Sequence, residues 1–84
     1  MKMNPNEDNQ YFRTADLPLA VSLCVRGFVI CDIEQIDPKR SVFVFENSDK
    51  LASAVSDFWS GKLRVEPQEY FNKLKSLKAR LYQR

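Results

Sequence analysis

Lysine and arginine side chains concentrate in the C-terminal quarter of this sequence. Residues 62–84 hold seven basic and two acidic side chains, a net charge of +5, whereas residues 1–61 hold six basic and nine acidic ones, a net charge of −3. A basic segment of this kind can neutralise nucleic-acid phosphates in a salt-sensitive, largely sequence-independent way. The candidates for that alternative function are Lys62, Arg64, Lys73, Lys75, Lys78, Arg80 and Arg84. Cations near the C-terminus of a helix also complement its dipole, so a solvated helix face is the simpler interpretation.

The groupings of side chains that catalysis usually needs are missing. There is no histidine, which removes the commonest general base and zinc ligand. Cys24 and Cys31 do not form a CxxC motif, and we expect both to be small buried apolar residues. The carboxylates are better explained as helix caps, a turn residue and solvent-facing strand positions than as the convergent ligands of a cation. We therefore expect no enzyme activity, no metal, no cofactor and no small-molecule substrate.

The length and composition predict one small folded domain. The chain has 84 residues, of which 44% are hydrophobic, with only two glycines and two cysteines, so disorder and a disulfide scaffold are both excluded. Residues 1–10 are polar and are expected to form a flexible tail before a single domain over residues 11–84. No apolar run approaches a membrane span or a signal peptide, and two free cysteines fit a reducing compartment. We expect a cytoplasmic protein without a membrane partner.

The first helix is predicted to be apolar on opposite faces. A short aromatic edge strand over residues 11–14 leads to Thr14 or Asp16, either of which can cap the helix, and Gly27 ends it. At 100° per residue, Leu19 and Leu23 lie opposite the face formed by its other apolar residues. Such a helix must be covered on two sides, one of them by a sheet. The sequence leaves open whether the third helix or a second chain covers the other side.

A β-hairpin is predicted over residues 28–46, with Asp37 and Pro38 opening a type I turn. A turn that closes Asp37 against Arg40 without irregularity would set carboxylates beside the aromatic residues. A shift by one residue instead gathers the apolar side chains on one face, and we expect this register, with a bulge or longer loop near Lys39. The inward-facing set would be Val29, Cys31, Ile33, Phe43 and Phe45.

Two further helices complete an α+β fold in the order β-α-β-β-α-α, with helices packed on a small antiparallel sheet. The second helix begins after a cap at Asn47, Ser48 or Asp49 and ends at Gly61, and the third begins at Glu66 and Pro67. Each carries an apolar stripe at helical spacing.

The pieces of sequence that carry a family resemblance are YFRTADL at 11–17, GF at 27–28, FVFE at 43–46, FWSG at 58–61, VEP at 65–67 and LKSLK at 74–78.

In those pieces the chain resembles a family of small uncharacterised domains found in bacteria, phages and mobile elements. The resemblance covers residues 11–82, and Glu66 stands where such sequences commonly carry Asp. It implies a self-contained prokaryotic or phage domain and no established activity.

The wide apolar stripes favour a non-catalytic interaction domain that binds a partner protein, or forms a homodimer, through helical surfaces. We expect the contact surface to include Leu19, Leu23, Trp59, Leu77 and Tyr82.

Overall fold

The computed structural model describes residues 10–82, so residues 1–9 of the predicted 1–10 tail and the end of the chain at 83–84, with Arg84, lie outside the described residues. Within them the order of elements is β-α-β-β-α-α, which confirms the predicted α+β fold. The strands and helices are β1 (Tyr11–Thr14), α1 (Leu17–Val25), β2 (Ile30–Asp37), β3 (Arg40–Glu46), α2 (Asp49–Trp59) and α3 (Pro67–Tyr82). The carbonyl of Gln10 accepts a hydrogen bond from the Asn47 amide at 3.0 Å, just beyond the β1–β3 pairing.

Side chains at the start of each helix and glycines at the end of two of them fix the helix limits. Asp16 caps α1 through its carboxylate, which accepts from the Leu19 amide at 2.9 Å, and Ser48 caps α2 in the same way. Glu66 plays this part for α3, accepting from the Glu69 amide at 2.8 Å. Gly27 and Gly61 follow α1 and α2 with φ of 101° and 80°, conformations that side-chain-bearing residues rarely adopt.

The three strands form one antiparallel sheet in the order β1-β3-β2, with β3 in the centre. The hairpin closes Asp37 against Arg40, and an irregularity at position 36 then shifts the pairing so that Ile33 lies opposite Phe43. This is the predicted register for Ile33 and Phe43, but the extra residue is Ile36 of β2 and not a residue near Lys39. A second irregularity at position 31 sets Ile30 opposite Phe45.

This second bulge corrects part of the predicted inner face. Because one extra residue exchanges the two faces of a strand, Ile30 lies on the side of Phe43 and Phe45, where Val29 and Cys31 were expected. Val29 and Cys31 are exposed.

The core is built around α1. Phe43, Phe45 and Ile33 of the sheet pack in one hydrophobic cluster with α1 and with buried residues of α2 and α3. The helix packs most extensively against α3 and also touches α2 and β1. The third helix of the same chain therefore covers the side of α1 that the sheet leaves open.

Three residues expected at a contact surface belong to this core. Leu19, Leu23 and Leu77 are all almost fully buried. The expectation for them is wrong because all three pack in the hydrophobic cluster that the sheet and the helices of the same chain form together.

No helix among residues 10–82 is both long and apolar enough to cross a membrane.

Candidate interaction surfaces

Trp59 and Tyr82, the other two residues expected at a contact surface, are open to solvent. Trp59 is 62% exposed at the end of α2, and Tyr82 is 81% exposed at the end of α3. They lie on different helices.

Trp59 belongs to an apolar margin of α2 that the core does not cover. The stripe of this helix is centred on Leu51 and Ala54, which are buried. At 100° per residue, Ala52, Val55 and Trp59 lie along one edge of that stripe, where Ala52 is exposed and Val55 is half-buried. We call Ala52, Val55 and Trp59 the α2 margin.

The indole ring of Trp59 is held in place by its neighbour in the sequence. The Phe58 and Trp59 rings meet edge to face, with centroids 4.9 Å apart and an interplanar angle of 86°. Phe58 is half-buried and packs against the core, so the indole rests on an anchored ring.

The basic residues of the C-terminal segment do not converge on one surface. Lys73 and Arg80 lie along a shallow groove between α1 and α3, which also contains Cys24 and Ser76. Lys75 and Lys78 occupy the other flank of α3, since 100° per residue separates them widely from Lys73 and Arg80.

Lys62 and Arg64 lie in the loop between α2 and α3. The amide of Lys62 donates to the Asp57 carbonyl at 2.8 Å as part of the α2 terminus. The guanidinium of Arg64 donates to the Gly61 carbonyl at 3.2 Å, and that of Arg26 donates to the Arg64 carbonyl at 3.0 Å. The guanidinium of Arg64 thus holds the loop backbone, and that of Arg26 ties the loop to the end of α1.

The two cysteines have different surroundings. Burial raises the pKa of the Cys24 thiol above its ordinary value, and the positive charges of Lys73 and Arg80 offset part of that rise. Cys31 lies on the outer side of the sheet, with its sulfur 3.3 Å from the Val44 carbonyl oxygen. The expectation that both would be buried is wrong for Cys31, which is the extra residue of a bulge, and Cys24 is only half-buried.

A further aromatic residue is exposed on α3. Phe71 is 57% exposed, and the Nζ of Lys75 lies 5.3 Å from the centroid of its ring. The sequence contained the signal, because positions 71, 75, 78 and 82 recur at helical spacing.

Among residues 10–82, no three histidine, cysteine, aspartate or glutamate side chains are grouped so that they could hold a metal ion.

Comparison with known proteins gives one finding on the family. A family model described as Domain of unknown function (DUF5659) matches residues 9–83. No curated protein and no solved structure matches the chain significantly.

Proposed function

Because the chain belongs to the DUF5659 family, a domain of unknown function, we propose its role from the surface that its own core leaves uncovered. The domain is a non-catalytic interaction module that binds a partner protein, or a second copy of itself, through the α2 margin. The observation that supports this most is the exposure of Trp59 beside two further apolar side chains on a helix whose core packing is already complete.

The chemistry of the α2 margin suits a protein surface. Ala52, Val55, Ser56 and Trp59 follow one another along this flank of α2, and none of them carries a charge. Tryptophan is among the residues most enriched at the energetic centres of protein interfaces, since it removes a large apolar area from water and loses little side-chain freedom. A partner helix laid along α2 would bury all three residues of the margin.

A second copy of the chain is the simplest such partner. Two-fold dimers are the commonest oligomers, and they bring the same patch of each chain together. The α2 margin is self-complementary in this sense because it is uncharged, so that two copies meet without repulsion between like charges.

By the same proposal, the domain works in the cytoplasm of a bacterium or of a phage-infected cell. The resemblance to bacterial, phage and mobile-element domains supports the origin, and two free thiols at Cys24 and Cys31 support a reducing compartment.

Trp59 is the single tryptophan of the sequence and therefore reports on its own surroundings. If the chain self-associates through the α2 margin, the mass measured by light scattering will double with increasing concentration. Over the same range, the Trp59 fluorescence will shift to shorter wavelength and become less accessible to acrylamide. Trp59→Ala should remain a monomer, whereas Ile36→Ala, which removes an exposed apolar side chain from β2, should dimerise normally.

A doubling of mass that leaves Trp59 fully accessible would contradict the use of this surface. A monomer at all concentrations would exclude the second copy and leave a different protein as the partner. A photo-crosslinking amino acid at position 59, compared with one at position 36, then tests in cells whether a different protein binds at the α2 margin. A discrete crosslinked protein specific to position 59 is expected, and its absence would end the proposal.

A further inference from the structure

One flank of α3 presents aromatic and basic side chains together. Phe71, Lys75, Lys78 and Tyr82 follow one another at spacings of four, three and four residues, which set them on one side of a helix. The approach of Lys75 to the Phe71 ring shows that the first two share this side. We call these four residues the aromatic–lysine face.

The face is open, and its charges are all positive. All four side chains are exposed. Glu69, the single acidic residue of α3, lies on the other flank, where it lines the groove beside Cys24. In residues 10–82 the two ion pairs join Arg13 to Glu34 and Arg40 to Asp37, so neither lysine is part of them.

We propose that the aromatic–lysine face binds single-stranded nucleic acid. Exposed aromatic rings provide surfaces on which unpaired bases stack, and lysines between them neutralise the phosphates that connect those bases. With a rise of 1.5 Å per residue, Phe71 and Tyr82 lie about 16 Å apart along the helix axis. That distance spans about five nucleotides at the roughly 3.4 Å spacing of stacked bases, and fewer in an extended strand.

The combination of rings and lysines favours a single strand over two other acidic ligands. In a duplex the bases are already stacked on one another, so the rings of Phe71 and Tyr82 would have no free base to bind. An acidic polypeptide would engage the lysines but would offer no flat aromatic surface to two exposed rings. This site uses α3 and is independent of the α2 margin, so either proposal can fail alone.

The decisive experiment measures the fluorescence anisotropy of a labelled 12-nucleotide oligothymidylate titrated with the full chain at low salt. Binding should weaken as salt rises. Lys75→Gln/Lys78→Gln should reduce the slope of log K against log salt by about 1.4, at about 0.7 for each phosphate of a single strand that is no longer neutralised. The matched control is Lys73→Gln/Arg80→Gln, which removes the same charge from the other flank of the same helix and should leave most of the slope unchanged.

A second pair of variants separates stacking from charge. Phe71→Leu and Tyr82→Leu keep an apolar side chain but remove the ring, and each should weaken binding by about 5-fold to 150-fold, the range expected when one stacked aromatic ring is removed. Neither change should alter the salt slope by more than a few tenths, because no charge is removed.

Three results would overturn the proposal. The first is the absence of binding at low salt. The second is an equal loss of affinity in the two double variants, which would indicate attraction to net charge only. The third is binding of polyglutamate or of duplex DNA as tightly as the oligothymidylate, which would show that the rings do not read unpaired bases.

Discussion

Arg13 and Glu34 form an ion pair across the central strand of the sheet, with 3.5 Å between Nε and Oε1. Arg13 belongs to β1 and Glu34 to β2, and each strand pairs with β3, where Val44 lies directly opposite Arg13. Val44 alternates with Phe43 and Phe45, which face the helices, so it points to the other side of the sheet. It is nevertheless only 4% exposed. On this face Val44 lies among the side chains of Tyr11, Arg13, Cys31, Asp32 and Glu34, which cover it without a second layer of structure.

Removing Arg13 should therefore expose Val44. Both partners of the ion pair are partly exposed, so Arg13→Ala should lower the free energy of unfolding by about 1 kcal/mol or less, part of it from charge and part from the missing cover of the aliphatic stem. Arg13→Met should retain more stability than Arg13→Ala, because it keeps the stem. Urea unfolding at low and high salt measures both effects.

The other ion pair provides the control. Arg40 and Asp37 lie 3.9 Å apart at the hairpin turn, and Arg40→Ala should change stability by no more than about 0.5 kcal/mol. Equal costs for Arg13→Ala and Arg40→Ala would contradict the covering role.

The placement of Leu23 in the core gives a second prediction. Leu23→Ala should lower the free energy of unfolding by about 2–5 kcal/mol, because it leaves a cavity in the core. Tyr82→Ala, on a helix surface, should stay within about 0.5 kcal/mol of the parent. Denaturant unfolding checks this prediction, through the shift of the midpoint in each variant at an unchanged m value. Similar small costs for the two variants would mean that α1 is not enclosed.

The helix-ending glycines give a third. A Cβ added at Gly27 or Gly61 would meet no atom within 4 Å, so any cost of Gly→Ala arises from the backbone. We expect a loss of about 1–2 kcal/mol at each position, with the larger loss at Gly27, whose φ of 101° lies further from the left-handed helical region.

Gly61→Asn is the matched comparison, since asparagine adopts positive φ more readily than alanine. It should cost less than Gly61→Ala in the same unfolding assay. The reverse order would be inconsistent with a backbone origin.

The surroundings of Cys24 give a fourth prediction. At about pH 8, iodoacetamide should alkylate Cys24 in a Cys31→Ser variant more slowly than it alkylates Cys31 in a Cys24→Ser variant, because burial limits access and raises the pKa of the Cys24 thiol. Adding Lys73→Gln and Arg80→Gln should slow the alkylation of Cys24 further, since the positive charges of Lys73 and Arg80 lower the pKa of the Cys24 thiol. Faster alkylation in that variant would contradict their proximity.

The same shift predicts the direction of a pH effect on stability. Burial raises the pKa of the Cys24 thiol, so this thiol ionises less readily in the folded chain than in the unfolded one. At alkaline pH the ionisation of the thiol therefore favours the unfolded chain and lowers the stability of the fold. Its contribution is fully present at pH values where the thiol of the unfolded chain is still protonated, and it is lost as the pH rises through the folded pKa. The fall in stability at alkaline pH should therefore be smaller in Cys24→Ser than in the parent. Equal falls in the two chains would show that Cys24 does not contribute.

Local features of the sequence determined the elements and their limits. Asp16, Gly27, Ser48 and Gly61 were identifiable because caps and positive φ depend on a few neighbouring residues. The hairpin register followed from hydrophobic alternation, although the bulge at position 31 did not, since an extra residue inside a strand has no distinct signal in composition.

Only the tertiary structure decided which apolar faces stay open. Helical periodicity shows which side chains share a face, but it does not show which element covers that face, because this depends on how α1, α2 and α3 pack in space. For that reason Leu19, Leu23 and Leu77 could not be distinguished from Trp59 and Tyr82 before the packing of the sheet and the three helices was known. The division of the basic residues between two flanks of α3 follows from 100° per residue alone, and the tertiary structure decided only that the flank of Lys73 and Arg80 lies beside Cys24 of α1.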